Sequence, residues 1–327
     1  MSKSSENAVL AIRDLNVRFA TPDGEVSAVS DVSLALKKGE CLGLVGESGS
    51  GKSQTFMAAM GLLARNGRAA GAVDYAGTNL LAADEAALNK VRGDRVAMIF
   101  QDPMTSLTPH MKVGKQLAEV LVHHRKMSAV EARAASLAML KRVHVPEAER
   151  RLDMYPHELS GGLRQRVMIA MALLCGPDVL IADEPTTALD VTVQAQILDL
   201  LREVRQEHGT SIVLITHDLG VIAGLADRVA VMYAGRIVEV GEVRQIFRNP
   251  RHPYTAGLLA CTPSLDAPPT QGELTTIPGQ PPNLQRLPTG CAYHPRCGAV
   301  LDRCRAERPL LVADSTGAKA CFRERAA

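Results

Sequence analysis

GESGSGKS, residues 46–53, matches the spacing G-x-x-x-x-G-K-[ST]. Glu40 to Val45 ahead of it reads as a strand, and Gln54 to Leu63 behind it as a helix. Gly46 and Gly51 permit backbone angles and a close approach that a side chain would prevent. The amides of the loop and of the following helix N-terminus then converge on phosphate oxygens. In such a cradle of Gly46, Glu47, Ser48, Gly49, Ser50, Gly51, Lys52, Ser53 and Gln54, the ammonium of Lys52 reaches the β- and γ-phosphates and the Ser53 hydroxyl binds Mg²⁺. At this chain's Gly, Lys and Ser/Thr content, roughly 0.01 chance matches are expected over its length. A nucleoside triphosphate is the implied ligand.

Two stretches downstream acquire meaning from that loop. VLIADEP, residues 179–185, is an apolar strand ending in two carboxylates. Asp183 suits Mg²⁺, since hard cations take oxygen donors. Glu184, one step further, is placed to orient or deprotonate an attacking water. Between loop and carboxylates lies LSGGLRQR, residues 159–166, where Ser160, Gly161 and Gly162 precede an apolar helix. An isolated SGG is more often a capped helix start, but here it offers a second anion-binding helix end with no second lysine-bearing loop. The economical explanation is that this end serves the ATP of a neighbouring subunit.

The rest of the chain alternates in the α/β manner around a helical block. Arg95 to Phe100, Val179 to Ala182 and Ser211 to Thr216 read as buried strands, and Val229 to Met232 with Arg236 to Val240 as a hairpin. Residues 112–157 read as helical, with Ser128 and Glu131 at capping-box spacing and Val130, Ala134, Leu137, Leu140 and Val143 as one packing face. Asp190 opens another helix, with the face Val193, Ile197, Leu200, Leu201 and Val204, closed by Gly209. No internal repeat is present, so a single nucleotide-binding unit is expected. Prolines cluster in PSLDAPP and PGQPPNL beyond residue 262, placing a domain boundary there.

Composition narrows the function classes. Thirty-seven basic against 35 acidic residues give a net charge of +2, too balanced for a nucleic-acid footprint. Trp is absent and aromatics make up 3%, leaving little for base stacking. The start, MSKSSENAVLAIRDL, lacks the apolar core of a signal peptide, and the longest apolar stretch, Val167 to Ala182, is broken by Gly176, Pro177 and Asp178. A cytoplasmic chain is expected, with its seven cysteines as thiols or metal ligands rather than disulfides.

Taken together, the motifs resemble an ATP-binding-cassette nucleotide-binding subunit from about residue 9 to 262. The order is that family's: phosphate loop, Gln101, LSGGLRQR, DEP, then His217 after a strand. The resemblance implies an α/β fold: a P-loop core with an antiparallel β subdomain, a helical insert over about residues 102–175 and a small C-terminal extension over 263–327. It implies that Gln101 senses Mg²⁺ and the attacking water, that His217 contacts the γ-phosphate, and that Phe19 stacks on adenine. Ala188, Leu189 and Asp190 are implied to face the partner ATPase. GESGSGKSQ, AMIFQDPMTSL, DEPTTALDVTVQAQI, PRHPYT and PGQPPNL…GCAYHPRC are similar, more narrowly, to the oligopeptide/dipeptide importer branch. There, two cytoplasmic ATPases, often non-identical, drive two membrane permeases fed by an extracytoplasmic substrate-binding protein. An ATPase held peripherally at the cytoplasmic face of the inner membrane is the implied assembly, without nucleic acid. Some relatives move nickel, other metal chelates or sugars. Soluble cassette ATPases acting on DNA or ribosomes usually carry a second cassette, a coiled-coil insertion or basic arms, and exporters often fuse membrane helices; none is visible here.

Cys291, Cys297, Cys304 and Cys321 have the spacing C-x5-C-x6-C-x16-C in a proline-rich tail with little apolar material, which suggests a metal holding it together. Four thiolates suit zinc or an iron–sulfur cluster. No close C-x2-4-C pair of the structural-zinc kind is present, and wider spacings suit a larger cluster. The importer resemblance points the same way, so a [4Fe–4S] cluster is expected, structural or regulatory rather than catalytic.

Overall fold

The structure is a computed structural model that describes residues 7–102, 106–187, 189–262 and 276–324. In chain order the strands are β1 (Ala8–Thr21), β2 (Gly24–Lys37), β3 (Cys41–Val45), β4 (Gly67–Tyr75), β5 (Thr78–Asn79) and β6 (Val96–Ile99). They continue as β7 (Val179–Asp183), β8 (Ser211–Ile215), β9 (Arg228–Tyr233), β10 (Arg236–Glu242), β11 (Val312–Asp314) and β12 (Gly317–Lys319). The α-helices begin with α1 (Lys52–Ala59), α2 (Glu85–Val91), α3 (Val113–Arg125), α4 (Ala129–Arg142), α5 (Ala148–Arg151) and α6 (Gly161–Leu173). After them come α7 (Val191–His208), α8 (Leu219–Leu225), α9 (Val243–Arg248), α10 (Pro253–Ala260) and α11 (Asp302–Ala306). Contacts divide the chain into two compact units: the first is Met1–Leu10, Leu36–Glu40 and Ala82–Ile215, the second Ala11–Ala35, Cys41–Leu81 and Thr216–Ala327. No helix among the described residues is long and apolar enough to cross a membrane.

In the first unit β6, β7 and β8 run parallel, Ile99 opposite Ala182 and Asp183 opposite Ile215. Every residue of the three strands is buried, as a parallel sheet covered on both faces requires. The expected helical insert is present as α3 to α6. Its capping box forms: the Ser128 hydroxyl accepts from the Glu131 N–H, and the Glu131 carboxylate accepts from the Ser128 N–H at 3.0 Å. The expected packing face of α4 is corrected. Val130 is 81% exposed and Ala134 is exposed, while Ala132, Ser136 and Leu140 are buried, with Val143 just beyond the helix. Small residues fill the inward positions because α3 lies close, with Leu121 and Ala132 sharing one core cluster with Cys175. The face of α7 is buried at Ile197, Leu200, Leu201 and Val204; Asp190 caps its start and Gly209, at φ 66°, its end.

In the second unit β3 runs parallel to β9, and β9 and β10 form the expected hairpin. The order β11-β12-β10-β9-β3 carries the C-terminal residues onto this sheet, with Glu239 opposite Lys319. A four-stranded sheet has the order β2-β1-β4-β5. The tail therefore has support that its proline-rich sequence did not suggest. It adds a β-hairpin to β10, and Tyr293 joins Tyr233 and Tyr254 with ring centroids 4.5–5.4 Å apart.

Candidate active site

The phosphate loop belongs to the second unit and leaves the buried strand β3 at Gly46. A Cβ on Gly46 would lie 2.2 Å from the Met232 carbonyl oxygen, and one on Gly51 2.3 Å from that of Ala28. Both oxygens belong to main chain, so neither position admits a side chain. Gly51 is the N-cap of α1 and supplies no side-chain acceptor, so the first amides of α1 are left for an anion. Lys52 is buried and its ammonium donates to the carbonyls of Gly46 (2.8 Å) and Glu47 (3.0 Å), folding back over the loop. Ser50 is buried and Ser53 half-buried.

Three further groups fix the loop from outside the motif. The Glu47 N–H donates to the Tyr254 hydroxyl at 2.8 Å, and the Gly235 N–H donates to the Ser50 carbonyl at 2.9 Å. The Arg296 guanidinium donates to both carboxylate oxygens of Glu47, at 2.7 and 2.9 Å. Tyr254 is fully buried, which pushes its phenol far above the usual tyrosine range, so it stays a neutral partner. Hydrogen bonding to Glu47 holds Arg296 in its charged form more firmly than usual. Sequence reasoning assigned no role to Tyr254 or Arg296. Nothing in the stretches that carry them, PRHPYT and HPRC, marks either as a neighbour of the loop.

Two more expected residues lie in this unit. Phe19 is half-buried on β1, its ring against Gly67, where a Cβ would come within 2.6 Å of Phe19 Cε1. His217 is exposed, next to Asp218, whose carboxylate caps α8 by accepting from Gly220 and Val221.

Gln101, Ser160 to Gly162, Asp183 and Glu184 belong to the first unit. Asp183 ends β7 and is buried, 4% exposed. Glu184 follows with φ 49°, a left-handed conformation that is uncommon outside glycine and of the kind held in place at functional sites. Its N–H donates to the Ile215 carbonyl at 2.8 Å, and its carboxylate accepts from the Thr187 hydroxyl. Because Ile99 pairs with Ala182 in parallel register, Gln101 and Glu184 both leave the same edge of the sheet two residues later. Ser160 caps α6, accepting from the Leu163 N–H at 3.4 Å, and is exposed with Gly161 at the helix start. Gln165 ties α6 to the segment that follows β7 by donating to the Pro185 carbonyl at 2.8 Å. Arg166, buried, donates to the carbonyls of Val143 and His144 and to Gln196, tying α6 to the end of α4 and to α7. Leu189 lies 3.7 Å from the Cβ position of Gly162, whereas Ala188 lies outside the described residues. Gln101 and Asp183 offer amide and carboxylate oxygens in the first unit and Ser53 a hydroxyl in the second, each a donor type that Mg²⁺ takes.

The cysteines give a different result. Cys291, Cys297, Cys304 and Cys321 line one pocket with Tyr293 and Phe322. Yet among the described residues no group of three or more His, Cys, Asp or Glu is arranged to hold a metal ion, so the expected ligand set is not found as such. Burial pushes the Cys291 thiol up to about 11 and raises those of Cys297 and Cys321. A metal bound there would have to displace their protons.

The profile of the ABC transporter family matches residues 29–187, and that of the oligopeptide/dipeptide transporter C-terminal region matches residues 238–304. The oligopeptide transport ATP-binding protein OppD of Salmonella typhimurium is 56% identical over 317 residues, 97% of this chain and 94% of its own length. This chain belongs to the ABC transporter family. The oligopeptide transport ATP-binding protein OppD of Escherichia coli is 55% identical, covering 99% of this chain and 95% of that protein. Among solved structures, a dimeric ATP-binding cassette in a post-hydrolysis state, bound to ADP and Pi, superposes with a TM-score of 0.66 at 29% identity. That match covers 72% of this chain and 99% of the other.

Proposed function

We propose that this protein is the ATP-hydrolysing subunit that couples ATP turnover to oligopeptide import. One observation carries the reading: a phosphate loop with Lys52 folded over it, in a chain 56% identical to an oligopeptide transport ATP-binding protein over 97% of its length. In this reading Lys52 and the amides of residues 46–54 hold the phosphates of ATP, and Phe19 stacks on adenine. Ser53, Asp183 and Gln101 would hold Mg²⁺, which neutralises charge on the phosphates. Glu184 takes the proton of the attacking water, and His217 contacts the γ-phosphate. Ser160 to Gly162 close on the ATP bound by a second ATPase, a non-identical paralogue, with Leu189 and Asp190 at the same junction. Two permeases, fed by an extracytoplasmic substrate-binding protein, dock on the helical insert, which holds this subunit at the cytoplasmic face of the inner membrane. Residues 1–262 form the nucleotide-binding domain and 263–327 its extension.

The test is ATP-dependent uptake of a labelled oligopeptide into vesicles carrying the copurified transporter. Lys52→Ala should abolish uptake together with nucleotide binding. Undiminished peptide uptake by that variant would refute the assignment.

The finer proposal concerns the tail: Cys291, Cys297, Cys304 and Cys321 hold a [4Fe–4S] cluster, with zinc as the alternative. Their convergence on one pocket supports it. Such a group would cross-link the tail and take no part in hydrolysis. Anaerobic purification with metal and sulfide analysis decides between the two. Metal content unchanged after replacing Cys297 and Cys304 with Ser would remove both.

A further inference from the structure

The C-terminal extension reaches the nucleotide site at more than one point. Arg296 forms its two-pronged ion pair with Glu47, the second residue of the phosphate loop. Pro281, Pro282 and Leu284 border a pocket whose other wall is Glu47, Ser48, Gly49 and Ser50. Gln285 donates to the Thr21 hydroxyl at 3.3 Å, two residues along β1 from Phe19. All of these residues belong to the second unit.

Arg296 is built to hold a position. Its side chain is 5% exposed, and its Nε donates to the Pro278 carbonyl at 2.9 Å, so the fork is already aimed before it meets Glu47. A paired fork of this kind fixes direction as well as distance. Glu47 is thereby gripped at three groups: the N–H by Tyr254, the carbonyl by Lys52 and the carboxylate by Arg296. The carbonyl grip is the one that ATP would disturb, because Lys52 must turn from that oxygen toward the phosphates. The other two grips leave the loop in place while it does so.

We infer that Arg296 is a positioning residue for ATP: through Glu47, the C-terminal extension holds the phosphate loop in its nucleotide-binding shape. This rests on the reading of residues 46–53 as the ATP site. The geometry also gives the extension a means of acting on nucleotide affinity, since Arg296 is the neighbour of Cys297 in a single 3-10 turn.

The experiment measures the affinity of the full chain for a fluorescent ATP analogue, with urea unfolding of the same samples. The variants are Arg296→Gln, Arg296→Lys, Glu47→Gln and the double Glu47→Gln/Arg296→Gln. Each glutamine variant should bind about tenfold more weakly, the scale of one charge-assisted hydrogen bond. The double variant should bind no more weakly than either single, because both remove the same interaction. Arg296→Lys keeps the charge without the fork and should recover part of the loss. Native affinity in Glu47→Gln and Arg296→Lys, or losses that add in the double variant, would overturn the inference. Should Arg296→Gln fail to fold, Glu47→Gln and Arg296→Lys decide the matter. Lys52→Ala serves as the control. Normal binding by that variant would remove the ATP site itself, a failure distinct from that of the Arg296 contact.

Discussion

Gly49 and Gly51 lie two residues apart in the phosphate loop, and the structure assigns them different costs. Gly51 has φ 100°, and an added Cβ would meet the Ala28 carbonyl oxygen at 2.3 Å and Met232 Cε at 2.9 Å. The methionine can swing away, but the carbonyl belongs to strand β2 and cannot. Strain at such an angle costs about 1–3 kcal/mol and overpacking about as much again, so Gly51→Ala should lose roughly 4 kcal/mol. Gly49 has φ 76° with nothing within 4 Å of its Cβ position. Gly49→Ala therefore meets only the left-handed penalty, about 1 kcal/mol. At a urea slope of about 3 kcal/mol per molar, the gap between the two variants moves the midpoint by nearly 1 M. Urea unfolding of the nucleotide-free chain, followed by far-ultraviolet dichroism, measures it. Equal midpoints for the two variants would refute the argument that the Ala28 carbonyl, rather than the loop's flexibility, dictates glycine at 51.

Glu184→Gln should keep ATP binding and lose nearly all turnover in the assembled transporter, which steady-state hydrolysis at saturating ATP checks. With that base removed, ATP and not ADP should close the two ATPases, as read by the separation of spectroscopic labels on each; equal separations would count against the shared site. His252 is 1% exposed, and burial lowers its pKa from 6.5 to about 3, so it is neutral when folded. The unfolded chain takes up a proton there between those values, and stability falls with pH through that window, by about 2 kcal/mol between pH 6.5 and 5. His252→Asn, which can still cap the Tyr254 N–H, should flatten that part of the stability–pH curve.

The chemistry-bearing motifs were legible because each pairs an unusual residue requirement with a short spacing. A strand, a turn with glycines at fixed places and a lysine at a helix start can be recognised from eight residues. The strand and helix limits around it fell within a few residues of the sequence expectation, β3 at Cys41–Val45 and α1 at Lys52–Ala59. The face of α7 was legible for the same reason, a clean apolar periodicity between Asp190 and Gly209. The face of α4 was misread because alanines and a serine carry little hydropathy signal, yet small size is what a close helix contact selects. Long-range grips on the loop were not legible at all. Nothing in PRHPYT or HPRC announces that a phenol and a guanidinium will meet Glu47, 207 and 249 residues away in sequence.

Those distant grips change where the ATP site ends. Its motif closes at Ser53, but its shape depends on the carbonyl of Ala28, the N–H of Gly235, the hydroxyl of Tyr254 and the fork of Arg296. The first three belong to segments expected in the nucleotide-binding domain and the fourth to the expected extension. A chain shortened before residue 276 would therefore keep the hydrogen bonds that set the backbone of the loop and lose the ion pair at Glu47. An unpaired carboxylate beside the phosphates opposes the charge of ATP, whereas one held by Arg296 does not. The extension can thus act on the nucleotide by neutralising Glu47 or by steadying it, and adding Glu47→Gln to Arg296→Gln separates the two effects. It removes the unpaired negative charge without restoring the grip. A double variant as weak as Arg296→Gln assigns the role to position. One restored toward native affinity would assign it to charge.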